Sequence, residues 1–141
     1  MTSNLYCSIA IFLAVIINIS KSEMLVGGWV EHDVNKDEIK NLSKKVIHKL
    51  NAESNDMFYQ FPKEILSAKS QVVSGIQYEL KILVGKSSCK KNEVASVEFD
   101  ETKCQEQDEN ARKVYTAKIW IKEWENFEEI TITKDNSAEN E

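Results

Sequence analysis

The sequence predicts an α+β fold in which an antiparallel β-sheet wraps around a single α-helix. Three observations carry that reading. One early segment repeats its apolar residues at three- and four-residue spacing, later segments alternate with period two, and strands and helices do not alternate along the chain.

The helix comes first. Ile39, Leu42, Val46 and Leu50 fall on one stripe, with Lys40, Asn41, Lys44, Lys45 and Lys49 around the rest of the cylinder. Asp33 or Asn35 is placed to cap its start, and Asp37 and Glu38 suit the positive end of the helix dipole. Asn51 to Asp56, poor helix formers, should end it. Phe58 to Val73 reads as a strand with Pro62 confined to an edge or a bulge. Ile76, Tyr78, Leu80, Ile82 and Val84 share one strand face, and Tyr115, Ala117, Ile119 and Ile121 share another. Glu128, Ile130 and Ile132 oppose Phe127, Glu129, Thr131 and Thr133 in a shorter run. The segment 134–141 is polar and is expected to be an acidic flexible tail.

Leu5 to Ile19 is almost wholly apolar but too short to span a bilayer, for which about 20 apolar residues are needed. With small residues following at Ser20 and Ser22, residues 1–22 read as a signal peptide, and a signal anchor is the rival reading. Cleavage near Ser22 leaves a secreted domain over 23–133, with no membrane attachment afterwards. Loss of Lys21 moves the formal charge from -5 to about -6, and that acidic balance argues against a nucleic-acid partner. Cys7 leaves with the leader. Cys89 and Cys104 then form an even pair in an oxidising compartment, where a disulfide is the default. A metal site is disfavoured, because two thiolates without a nearby His do not complete a zinc shell.

Chemistry for catalysis is missing from the sequence. His32 and His48 are the two histidines, and His48 points away from the apolar stripe. There is no Gly-rich phosphate loop and no Gly-x-Ser-x-Gly elbow, so neither an enzyme nor a cofactor is expected.

Gln71, Val72, Val73, Ser74 and Gly75 read physically as a hairpin tip, with apolar residues in an exposed turn closed by Ser-Gly. Between a helix-then-strand segment and a cleanly alternating strand, this pentapeptide resembles the Gln-x-Val-x-Gly signature of the cystatin family. Leu25, Val26 and Gly27 resemble that family's N-terminal trunk. Val84 to Cys89 resembles the approach to the first disulfide of its secreted members, and Trp124 stands where the family carries the Trp of its second hairpin. The resemblance runs from about Met24 to Thr133.

It implies a monomeric, reversible inhibitor of papain-like cysteine proteases of the cathepsin L, S or B type. Leu25 and Val26 would fill apolar subsites, Gly27 would act as a hinge, Gln71 to Gly75 would cover the catalytic Cys–His pair, and Trp124 would pack on the leaving-group side. Two departures from the family pattern stand out. Glu123 replaces the Pro that usually precedes the Trp, which loosens the turn and lowers the expected contribution of Trp124. Thr116 stands where a second disulfide would begin, which makes this a single-disulfide variant. Ser54, Asn55 and Asp56 read as a polar helix-ending turn; they also resemble the loop that some secreted cystatins present to legumain, with Asn55 entering the specificity pocket. Asn41-Leu42-Ser43 is a glycosylation sequon on the polar helix face. The alternative function is a non-inhibitory or immunomodulatory binding protein on the same fold.

Overall fold

The structure, a computed structural model, describes residues 27–100 and 102–136. The leader 1–22, the trunk residues Leu25 and Val26, and the tail beyond residue 136 lie outside the described residues. Within them, strand β1 (Val30–Glu31) precedes helix α1 (Asp37–Glu53). Strands β2 (Phe58–Val73), β3 (Gly75–Lys90), β4 (Lys113–Lys122) and β5 (Phe127–Lys134) follow. The strands form one five-stranded sheet in the order β1-β2-β3-β4-β5, with every neighbouring pair antiparallel. The α+β expectation is borne out. Among the described residues no helix is long and apolar enough to cross a membrane.

Burial follows the sequence pattern. Ile39, Leu42, Val46 and Leu50 face the sheet, joined by Ile47 and Ser43. Against them lie Ala68, Tyr78, Leu80, Ile82, Val84, Ala117 and Ile119, one residue in two along β3 and β4. His48 is exposed, as the stripe implied. Curvature of the sheet over the helix is concentrated in β2, whose register against β3 shifts at Phe58/Gln60, Pro62/Glu64 and Ile65/Ser67. Each irregularity bends the strand and increases its twist. Pro62, which has no N–H to donate, sits at one of them on a stretch that β1 leaves uncovered.

The helix ends differ from expectation. Neither Asp33 nor Asn35 caps α1, because the Asp33 carboxylate accepts the Asn35 N–H (2.9 Å) and is spent on the turn before it. Lys36 holds the cap position without a side-chain bond, and Asp37 and Glu38 do lie in the first turn. At the other end α1 continues through Asn51, Ala52 and Glu53. Asn51 is kept helical by a tertiary bond pair: its amide donates to Gln60 O and its carbonyl accepts from Gln60 N, both at 2.8 Å. That pair fastens the helix end to β2. The first turn is fastened as well, since Tyr78 Oη donates to the Glu38 carboxylate. Burial, reinforced by that carboxylate, pushes the Tyr78 hydroxyl up to about 12. At the C-terminus β5 runs through Lys134, which the sequence reading assigned to the tail; the ladder with Tyr115 holds it.

Between β3 and β4 the chain makes an excursion closed by a disulfide between Cys89 and Cys104. Its return leg is clamped by Glu106. This carboxylate receives Arg112 Nε and Nη2 at 2.8 Å each and the Lys63 ammonium at 3.1 Å. The paired Arg112 bonds, then Lys63, hold it down from an ordinary 4.5 to about 2. A carboxylate depressed on folding stabilises the fold above its unfolded value, and that stabilisation is lost as pH falls through the folded value. Urea unfolding at stepped pH should therefore show stability falling between about pH 4.5 and pH 2. The fall should be shallower in Glu106→Gln, and superimposable curves would remove Glu106 from the acid response.

Candidate functional site

The register brings three segments to one end of the sheet. In the β2–β3 hairpin Val72 pairs with Ile76 and Val73 with Gly75, which leaves Ser74 at the apex. Ile76 pairs with Ile121, and Ile121 with Glu128, so the β4–β5 turn lies beside that apex. Val30 pairs with Ser70, and the chain before it runs toward the same end, where Gly27 stands with φ +94°.

The hairpin tip is fixed by its backbone. Gly75 has φ +93°, a conformation L side chains rarely adopt, and a Cβ there would lie 2.2 Å from the carbonyl oxygen of Ile121. Trp120 Nε1 donates to Ser74 O at 2.8 Å, and Gln71 Nε2 donates to Gln77 Oε1 at 2.8 Å. The tip is thus held by its neighbour strand as well as by its own hairpin. In the period-two pattern Trp120 falls on the face of β4 opposite Ile119 and Ile121, and the sequence alone assigns it no role. A Trp on a solvent face was the available signal, but its partner is set by a register that no sequence pattern specifies.

The second turn is a 3₁₀ turn, Glu123–Glu125, followed by Asn126 in the left-handed region at φ 50°, ψ 41°. Asn126 N donates to Glu123 O at 3.1 Å, and Lys122 pairs with Glu125 at 3.2 Å. Lys122 also lies over the rings of Trp120 (4.4 Å) and Phe127 (5.1 Å). Glu123 stands in place of Pro, yet Asn126 closes the turn from its far side. Trp124 projects from it 67% exposed, and Val72 is 67% exposed on the adjacent tip. Val73, Ile76, Trp29 and Val30 add further exposed apolar surface at this end. Together these side chains leave an exposed apolar patch at this end of the sheet.

Of the nine residues read as the first site, Leu25 and Val26 lie outside the described residues. The structure brings the other seven, Gly27, Gln71, Val72, Val73, Ser74, Gly75 and Trp124, to one end of the sheet. The second predicted cluster is at the far end. β2 spans 16 residues, a contour of about 50 Å at strand rise, between Ser54–Asp56 and the tip. There Ser54 Oγ accepts from Asp56 N (3.1 Å) and from the Gln60 amide (3.3 Å). Lys91 Nζ donates to Asn51 O (2.8 Å) and Ser54 O (2.9 Å). Burial works to raise the Asp56 carboxyl, but the Phe58 N–H and the Lys86 ammonium outweigh it and hold it below the usual range. Asn55 is exposed between these braced neighbours. Asn41 is exposed on α1, while Leu42 and Ser43 of its sequon are buried. His32 Nε2 is bonded to Ser70 Oγ at 2.7 Å. Among the described residues no group of His, Cys, Asp or Glu is arranged to hold a metal.

Fold and surface together define a one-helix, five-strand α+β domain with one apolar, turn-bearing end. The cystatin domain family matches residues 27–110. Onchocystatin of Onchocerca volvulus is 38% identical over 109 residues, covering 77% of this chain and 66% of that protein. Cystatin cpi-2 of Brugia malayi is 34% identical over 112 residues, covering 79% and 68%. The chain thus spans about two thirds of the length of these relatives. The crystal structure of Al-CPI superimposes with a TM-score of 0.68 at 38% identity, covering 77% of this chain and 100% of that one. The chain belongs to the cystatin family.

Proposed function

We propose that the chain is a secreted, monomeric, reversible inhibitor of papain-like cysteine proteases of the cathepsin type, which it blocks by filling their active-site cleft. One observation carries this reading: Val72 and Trp124, both two-thirds exposed, stand on two turns at the same end of the sheet, whose backbones are held by Gly75, Trp120 and Asn126. A rigid apolar edge loses little conformational entropy when it docks. Gln71 to Gly75 cover the protease's Cys–His pair with backbone that is already bonded within its own sheet. Trp124 is the aromatic anchor on the leaving-group side, and Gly27 turns the trunk so that Leu25 and Val26 reach the acyl-side subsites. Replacing Trp124 by Ala is expected to weaken inhibition of papain by about 10- to 100-fold, the range of an aromatic anchor in a desolvated interface. An unchanged inhibition constant would take Trp124 out of the interface.

A second reading, favoured by the braced loop around an exposed Asn55, is inhibition of legumain at the opposite end. Ser54 and Asp56 hold the loop while Asn55 enters the specificity pocket. Asn55→Lys should abolish legumain inhibition and leave papain inhibition unchanged; parallel loss of both activities would refute independent sites. Asn41 is the glycan acceptor in this account, and it is modified before α1 forms because Ser43 is buried in the folded chain.

A further inference from the structure

The excursion between β3 and β4 folds back over the C-terminal half of α1 without closing on it. Two contacts with Tyr59 hold it in place. Tyr59 Oη donates to Val94 O at 2.8 Å, and Phe99 stacks on the Tyr59 ring with centroids 4.5 Å apart and planes 25° apart. Between the excursion and the helix remains a pocket of about 310 Å³, within the range of small-ligand sites. Its apolar walls are Ile47, Ala52, Tyr59 and Phe99.

The polar groups at this pocket are one-sided. Lys44, His48 and Lys91 line it, together with the neutral Asn51 and Ser96, and among the described residues no carboxylate does. Lys44 and His48 are four residues apart and so lie on one helix face. The neighbouring lysines are neutralised, Lys45 by Glu128 and Lys49 by Glu53. Lys44 has no ion pair among the described residues. Lys91 uses two of its three donors on Asn51 O and Ser54 O and has one left to give. Glu98 and Asp100 line the adjoining groove, which shares Lys44 and Phe99 with the pocket.

We infer that this pocket binds a small amphipathic anion, an aliphatic or aromatic carboxylate or sulfonate. Its apolar body lies against Phe99 and Tyr59, and its head is drawn by the positive charge that Lys44 and Lys91 give the pocket's lining. The two lysines of the lining disfavour a cation, and the apolar walls disfavour a bare inorganic anion.

The test is a fluorescence titration of the full mature chain with 1-anilinonaphthalene-8-sulfonate, followed by displacement with decanoate. Saturable one-site binding is expected, displaced by decanoate. It should weaken by at least about tenfold in Lys44→Glu, since a hydrogen bond to a charged group contributes that much. Ala52→Trp, which fills the pocket from the exposed helix face, should abolish binding while circular dichroism stays unchanged. The three tryptophans, Trp29, Trp120 and Trp124, all lie at the other end of the sheet, so decanoate should leave their emission unchanged. Non-saturable binding would overturn the inference. So would binding that ignores Lys44→Glu and Ala52→Trp but disappears in Trp124→Ala, which would place the dye on the apolar end.

Discussion

Gly75→Ala is expected to weaken papain inhibition by on the order of a hundredfold while the domain still folds. Two independent costs meet at this residue. The positive φ alone disfavours any L side chain, by about 1 kcal/mol or more. The added Cβ would lie 2.2 Å from Ile121 O, a backbone atom of β4 that has no rotamer by which to retreat. Either β4 shifts or the hairpin tip rotates, and in both cases the bond from Trp120 to Ser74 O is disturbed. The loss of inhibition should therefore appear in a chain that is still folded, beside a general destabilisation that we place at about 1–3 kcal/mol. Inhibition constants measured alongside urea unfolding separate the two effects. A folded Gly75→Ala chain that inhibits as well as the parent would show that tip geometry is not what the protease reads.

Leu80→Ala is expected to act in the opposite way, lowering stability while sparing inhibition per folded molecule. Leu80 is 0% exposed at the centre of β3 and packs among Ile39, Val46, Ile82 and Ile119, all 0% exposed. Removing three carbons there should cost about 2–5 kcal/mol, the cavity term included. For a domain of this size that corresponds to a midpoint lowered by roughly 10–20 °C. The urea slope should not change, because the surface exposed on unfolding is nearly the same. A cost below about 1 kcal/mol would mean that the sheet collapses onto the helix more freely than the packing implies.

How much of this was legible depends on the range over which each feature is determined. The helix and the inner face of β3 and β4 are local facts, written in the spacing of Ile39, Leu42, Val46 and Leu50 and in the alternation from Ile76 to Val84. Ile47 and Ser43 were not read as buried, because a sheet wrapped around the helix covers a wider stripe than a single row of residues. β1 was missed: two exposed residues carry no periodicity, and only their pairing with Lys69 and Ser70 makes them a strand. β3 extends to Lys90, beyond the apolar alternation that ended at Val84, because pairing with β2 holds Lys86 and Lys90 despite their polarity. The cap was misplaced because Asp33 has two backbone uses within reach and the sequence does not say which wins. The site divides in the same way. The tip pentapeptide and Trp124 were readable through their resemblance to a family pattern. What holds the tip, Trp120 and the Ile121 carbonyl, depends on cross-strand register.

The central claim is tested most directly by titrating active-site-quantified papain with the recombinant chain beginning at Glu23. The account predicts stoichiometric loss of activity, recovery on dilution or displacement, and an inhibitor regained intact, with the bonds from Gln71 to Gly75 uncut. A correctly folded chain that leaves papain fully active, or one cleaved within that tip, would contradict it.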